Sequence, residues 1–350
     1  MSFERMAPEQ HDTLDGVPSP AETPRLVGHE GTAAMLAAAY RAGKLPHALI
    51  LSGPVGIGKA TLAFHLAHHL LKYPDPHTAP ETLATPDPAS SLFRQIATGA
   101  HPSVLHLTRP LNDRTKAFKT MLTVDEIRKV GGFLSMTSHD GAYRVVIIDP
   151  ADDMNTNAAN ALLKNLEEPP KRTLFVLIVH APGSLLPTIR SRCQMVRLAP
   201  LSGVDLMRVL DGIEPPPPQD AAARNALVAR AGGSVRNAIL LTQYGGLEIA
   251  EALAALLRSG QDVAAAYRLA EAVSGRDRTV QFDIFNRNAL DMLSDAAAVA
   301  ARAGRLDAAK ALAYAWQEAR NAISETETYN LDKKQHALTM IDRLNSAMRM

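Results

Sequence analysis

Residues 48–61 read Ala48-Leu49-Ile50-Leu51-Ser52-Gly53-Pro54-Val55-Gly56-Ile57-Gly58-Lys59-Ala60-Thr61, and this stretch decides the fold. Ala48 to Leu51 form an apolar run of strand length. The turn that follows matches G-x-x-x-x-G-K from Gly53 to Lys59, and helical apolar spacing resumes from Ala60 to Leu71. Strand, glycine-rich turn and helix in that order make a phosphate-binding loop. Gly53, Gly56 and Gly58 let backbone N–H groups curl round a phosphate, the helix N-terminus adds positive potential, and Lys59 reaches the outer phosphates.

The next position is defective. A hydroxyl belongs directly after the lysine, because it holds Mg²⁺, and the residue there is Ala60. Thr61 comes one residue later, turned by about 100° round the helix, and stays in the candidate nucleotide-binding set without being a good replacement. A second defect lies downstream. Val145-Val146-Ile147-Ile148-Asp149 is an apolar strand ending in the carboxylate expected beside a metal, and Pro150 follows. Proline can neither accept a proton nor orient a water. Asp152 and Asp153 lie past the strand end and read as caps for the next segment. Two independent losses make the site degenerate; with Lys59 intact, binding of ATP or ADP without turnover stays open.

Outward from this loop the pattern is αβ. Helical spacing covers 31–42, and residues 73–91, rich in Pro, Thr and Asp, read as a loop insertion. Residues 103–107 read as a strand. Thr123-Val124-Asp125-Glu126 has the spacing of a capping box and opens a helix to about Leu134. Asn157 to Glu168 is helical and is stopped by Pro169-Pro170, and Leu174–Val179 is a wholly apolar strand. Apolar strands alternating with helices predict a parallel sheet covered on both faces. Short helical stretches at 202–211 and 220–231 flank the prolines 215–218, and residues 247–350 are Ala- and Leu-rich with helical spacing throughout. The apolar stripes there suit a core and a subunit interface. Residues 1–24 are polar, contain prolines and lack periodicity, which predicts a mobile tail.

Composition narrows the classes. At 350 residues, 46% hydrophobic and 21% charged, the chain is globular with two or three domains. A net charge of +1, from 37 Lys and Arg against 36 Asp and Glu, argues against a free-standing nucleic-acid binder held by bulk charge. The single cysteine excludes an internal disulfide framework and any multi-cysteine zinc site. No apolar run is long enough for a membrane span and the start lacks a secretory apolar region, so a cytoplasmic protein without membrane association is expected.

The run Asn157-Ala158-Ala159-Asn160-Ala161-Leu162-Leu163-Lys164-Asn165-Leu166-Glu167-Glu168-Pro169-Pro170, the strand Leu174–Val179 and the block Leu186-Pro187-Thr188-Ile189-Arg190-Ser191-Arg192-Cys193 together resemble the clamp-loader AAA+ family. Within it the chain is most similar to the delta-prime type of bacterial DNA polymerase III, the type with an impaired nucleotide site. The resemblance implies an α/β AAA+ P-loop domain over 25–200, a small helical lid over 201–246 and an all-α collar domain for oligomerisation over 247–350. It implies that Ser191-Arg192-Cys193 is the family's SRC motif, whose arginine acts in trans on ATP held by a neighbouring subunit; a planar, permanently charged guanidinium suits that role. Gly233-Ser234-Val235-Arg236 resembles sensor 2, with Ser234 capping a helix and Arg236 facing the phosphates. The sensor 1 position falls at Val179-His180, where Val179 cannot place a water.

Residues 72–110 contain no cysteine, so the zinc module of many relatives is not expected, and neither a metal nor any other cofactor is required. By resemblance the partners are the ATPase motor and delta-type subunits of a clamp loader and, through the complex, primer–template DNA; direct contact with the sliding clamp stays open. Arg128 and Lys129, with Arg114, Lys116 and Lys119 before them, are the candidate DNA-backbone contacts. The expected function is loading of the sliding clamp on primed DNA in replication, with negligible ATP turnover by the chain alone. An ATP-hydrolysing motor subunit is the alternative, disfavoured by Ala60, Pro150 and Val179. A small-molecule kinase would leave the SRC block and the helical tail without a purpose.

Overall fold

A computed structural model describes residues 4–112, 114, 117–135, 142–259 and 262–349. The chain divides between Asn237 and Ala238 into two compact units.

The first unit is built on a five-stranded parallel sheet of order β2-β3-β4-β1-β5. The elements run α1 (Glu30–Arg41), β1 (Ala48–Ser52), α2 (Lys59–Lys72), α3 (Ser91–Ala97), β2 (Val104–Leu107), α4 (Val124–Ser135), β3 (Arg144–Ile148), α5 (Thr156–Glu167), β4 (Thr173–Val179), α6 (Pro187–Arg190) and β5 (Gln194–Arg197). Period-two alternation splits each central strand between two cores. Leu49, Leu51, Val145, Ile147, Val176 and Ile178 pack with residues of α1 and α2, including Leu36, Leu62 and Leu66. Ile50, Val146, Ile148, Phe175, Leu177 and Val179 pack with Ile127 and Val130 of α4 and Leu162 and Leu166 of α5. Both faces are therefore dry, which is why these strands read as unbroken apolar runs. The α/β sheet expected from the sequence is present, with β5 and α3 added to it.

Short helices continue the unit: α7 (Gly203–Leu210), capped by Ser202, and α8 (Ala221–Ala231), capped by Asp220, lie either side of the proline run. The next helix, α9 (Val235–Gln243), spans the division between the units.

The N-terminal residues differ from the expected mobile tail. The Glu22 carboxylate accepts backbone N–H groups from Met6, Ala7 and Ser19. The Arg5 guanidinium donates to the carbonyls of Leu14 and Val17 at 2.7 and 2.9 Å. Ala7, Leu14 and Ala21 are buried. A polar segment is thus held by backbone hydrogen bonds to two charged side chains, which periodicity cannot reveal.

The second unit is helical: the end of α9, then α10 (Gly246–Ser259), α11 (Val263–Ser274), α12 (Thr279–Arg302), α13 (Leu306–Tyr329) and α14 (Lys333–Met348). Its core contains a polar knot. Buried His336 of α14 meets Thr326 Oγ1 of α13 at 2.8 Å and Asn286 Oδ1 of α12 at 2.9 Å. Burial pushes its imidazole down to about 4, so it is neutral at pH 7 and joins three helices without a buried charge. No single helix among the described residues is long and apolar enough to cross a membrane.

Candidate functional site

The P-loop lies where the sequence puts it, between the end of β1 and the start of α2, at the carboxyl ends of the parallel strands. That rim is where open α/β sheets bind their ligands. Gly56 and Gly58 have φ of +75° and +100°, which only glycine adopts freely. Gly56 also faces the lid: a Cβ there would sit 2.6 Å from Ser234 Oγ and collide with the Cβ of Arg236. The lid is docked by Ser234 Oγ donating to the Val55 carbonyl at 2.8 Å and Val235 N donating to the Gly56 carbonyl at 2.9 Å. Ser234 also accepts from Asn237 N at 3.1 Å, so it caps α9 as the sensor 2 resemblance implies. This docking explains why the first compact unit extends to Asn237 and includes α7 and α8. His29, just before α1, adds a contact from the other side, with Nε2 2.7 Å from the Ile57 carbonyl.

Lys59 is turned inward. Its ammonium donates to the Gly53 carbonyl at 2.7 Å and to the Pro54 carbonyl, and the residue is only 3% exposed. Burial pushes the ammonium down to about 8, with the carboxylates of Asp149 and Asp152 acting in the opposite direction. Two of the ammonium's three N–H donors are thus taken up by its own loop. Ala60 and Thr61 follow on α2.

Asp149 stands just past β3 and is held by its N–H to the Leu107 carbonyl at 2.9 Å. Burial pushes its carboxyl up to about 7; the nearby charge of Asp12 adds to this, and Lys59 opposes it. His106 of β2 has Nε2 4.0 Å from Asp149 Oδ2, and burial drives its imidazole down to about 4, so the two are not a charged pair at neutral pH.

The two acids after Pro150 do not cap the next helix, since that cap is Asn155, which accepts from Ala158 N at 2.9 Å. Asp152 instead accepts the N–H groups of His180 at 2.9 Å and Ala181 at 2.7 Å, tying down the end of β4. Asp153 pairs with Arg109 at 2.5 Å. Val179, buried in β4 opposite Ser52, has no polar side-chain atom, and its carbonyl accepts from Gly53 N at 3.2 Å.

Arg236 does not reach toward the loop's phosphate cradle with a free end. Its Nη1 donates to the carbonyl of Asp12 and lies 3.7 Å from Asp12 Oδ2. Asp12 and the neighbouring His11 are the residues at this site that sequence reasoning missed. The polar tail around them has no signal beyond the two side chains themselves.

Arg192 lies apart from this cluster, after the short helix α6. Its Nη1 donates to the Thr188 carbonyl at 2.9 Å, its Nη2 is 2.6 Å from Glu167 Oε1, and the side chain is 35% exposed. Its neighbour Cys193 packs against the core beneath α5 and α6, and burial pushes the thiol up to about 11, so it is a packing group rather than a nucleophile. On α4, Arg128 pairs with Asp125 at 2.9 Å and Lys129 with Glu126 at 2.5 Å, each within its own helix. Arg114 and Lys119 are exposed, and Lys116 lies outside the described residues.

A family model described as "DNA polymerase III, delta subunit" matches residues 28–202, half of the chain. The chain is similar to DNA polymerase III subunit delta-prime of Pseudomonas aeruginosa, 38% identical over 193 residues that cover 54% of this chain and 53% of that one. It is similar to the delta-prime subunit of Bacillus subtilis, 38% identical over 158 residues, 45% of this chain and 44% of that one. DNA polymerase III subunit gamma/tau of Mycobacterium tuberculosis is 34% identical over 180 residues, 49% of this chain and 28% of that one. The matched stretch spans about half the length of the delta-prime relatives.

Proposed function

The chain belongs to the DNA polymerase III delta-subunit family, and from that premise we propose that it serves as a delta-prime-like, non-hydrolysing subunit of the clamp loader that places the sliding clamp on primed DNA in the cytoplasm. One observation carries the reading: the Lys59 ammonium is bonded to the carbonyls of its own loop. A P-loop lysine neutralises charge on the outer phosphates, and here two of its three N–H donors are turned to carbonyls of its own loop. Ala60 has no hydroxyl for Mg²⁺ and Pro150 has no carboxylate to orient a water, so the groups that hydrolysis needs are missing together.

What the chain supplies instead is Arg192. It stands in the SRC block on a part-exposed surface, with N–H groups left over after its bonds to Thr188 and Glu167. A guanidinium has five donors in a fixed fork. In the assembled loader it stabilises the charge that develops on ATP bound by the neighbouring motor subunit. Val299, Leu306, Tyr314 and Tyr329 are all more than half exposed on α12 and α13, which suits a helical collar that packs against other subunits. Arg128 and Lys129 of α4, on exchanging Asp125 and Glu126 for phosphates, contact the DNA backbone in the assembled loader.

The test is co-purification with motor and delta-type subunits, followed by ATPase assays with clamp and primed DNA. The chain alone turns over no ATP. Arg192→Ala leaves assembly intact and lowers DNA-stimulated turnover by on the order of 10³ at the site it serves. Full turnover by the Arg192→Ala loader would sink the reading. The motor-subunit alternative predicts steady ATP hydrolysis by the isolated chain.

A further inference from the structure

The segment ahead of α1 has a shape that the delta-prime reading does not use. Arg5 and Glu22 close residues 5–22 into a loop from both ends, through the carbonyls of Leu14 and Val17 on one side and the N–H groups of Met6, Ala7 and Ser19 on the other. At its far end Thr13 and Gln10 bond each other twice, Gln10 N to Thr13 Oγ1 at 2.9 Å and Thr13 N to the Gln10 carbonyl at 3.1 Å. That tight turn presents His11 and Asp12.

The tip points to the rim of the sheet. Asp12 takes a hydrogen bond from Arg236 through its carbonyl and holds its carboxylate 3.7 Å from the same guanidinium. The half-buried ring of His11 lies edge-on to Phe118, centroids 6.5 Å apart, and feels the charges of Asp12, Arg109, Asp153 and Arg236. The Asp12 charge is felt in turn by His106 and Asp149 at the ends of β2 and β3. Residues 11–12 therefore sit against the guanidinium of Arg236, a residue whose own Cβ borders Gly56 of the phosphate loop, on the rim where a P-loop protein holds its ligand.

We propose that the resident ligand of this phosphate-binding site is the chain's own segment 5–22, with Asp12 set against Arg236 in the place of a nucleotide phosphate. The inference deepens the degenerate-site reading and rests on residues 53–61 being a phosphate loop. Chemically the substitution is like for like: a carboxylate and a backbone carbonyl supply the acceptors that phosphate oxygens would give to a guanidinium. A tethered competitor acts at an effective concentration that free nucleotide must exceed, and apparent affinity falls by the fraction of time the site is open. The site then stays closed to nucleotide even though Lys59 and its glycines are present.

The experiment titrates the full chain with a fluorescent ATP analogue and a fluorescent ADP analogue, with Mg²⁺ and with chelator, and follows amide exchange over residues 5–22 in the same samples. Two variants are compared with the native chain. Asp12→Arg sets like charge against Arg236, and the His11→Gly/Asp12→Gly pair removes both tip side chains without adding charge. Opening the site raises nucleotide affinity at least about tenfold in both variants, in step with faster exchange over 5–22. Tight nucleotide binding by the native chain with the segment still protected overturns the proposal. So does a variant whose segment is released without any gain in binding, or one whose segment keeps full protection. Hydrolysis by the native chain is a separate readout: it sinks the non-hydrolysing reading, whatever the segment does.

Discussion

Two cations on the same sheet scaffold have opposite fates. Lys59 is 3% exposed and bonded to two carbonyls of its own loop. Arg192 keeps a third of its side chain in solvent and is held by one carbonyl and one carboxylate. In the proposed reading each residue sits in a motif associated with ATP. What separates them is how far the charged end is buried and turned to its own surroundings. A motif records which atoms are available in principle, whereas burial and hydrogen bonding decide which are available to a ligand.

The largest expected effect tests this contrast directly. Lys59→Met, built into the complete loader, removes the side-chain charge that an active P-loop depends on. Here it leaves DNA-stimulated ATP turnover within about twofold of the native loader, while Arg192→Ala lowers it by orders of magnitude. The opposite ranking, with Lys59→Met crippling turnover and Arg192→Ala neutral, would make this chain a motor subunit.

A smaller effect, in stability, comes from Asp149. Its carboxyl titrates at about 7 in the fold against 3.8 in the open chain. Between those values the folded state keeps a proton that the unfolded chain has lost, so stability falls as pH rises through the window and is lowest above about 7. Asn cannot ionise and escapes this cost. Denaturant unfolding from pH 4 to pH 8 should show Asp149→Asn gaining on the native chain by on the order of 2–4 kcal/mol. A gap that does not change with pH would mean that Asp149 is solvated in the fold.

The same contrast explains what could be read from the sequence. β1, β3 and β4 are buried on both faces, and their apolar runs declared them. β5 did not declare itself, because of its four residues only Val196 is buried and the others are exposed or half-buried. α3 follows a run of Pro, Thr and Asp and is only seven residues long, too short for helical periodicity to emerge. The glycines, Lys59, Asp149, Arg192 and Arg236 were all legible as residue types at the right spacing. The direction in which Lys59 and Arg236 point was not legible, because both are set by backbone carbonyls, those of Gly53, Pro54 and Asp12, and every residue has one of those. Order in residues 5–22 depends on Arg5 and Glu22 reaching across the segment to backbone groups, a pattern with no period to detect.

The smallest effect concerns what holds Arg192 at rest. Glu167 Oε1 lies 2.6 Å from its Nη2, with side chains 48% and 35% exposed. Ion pairs in such settings contribute up to about 1 kcal/mol, a factor of about five in an equilibrium at most. In the proposed trans role the guanidinium has to loosen its hold on that carboxylate to engage a phosphate on the neighbouring subunit, which makes Glu167 a weak competitor. Glu167→Gln keeps the shape and one acceptor oxygen but removes the charge. It should raise the loader's kcat for ATP by up to about fivefold and leave the apparent KM within about twofold. In an Arg192→Ala background the effect should vanish, because the two side chains then share no interaction. If Glu167→Gln lowers kcat instead, the carboxylate is aiming the arginine rather than competing for it, and the two regions differ in more than accessibility: one cation is buried against its own loop, the other is held in position for a neighbour.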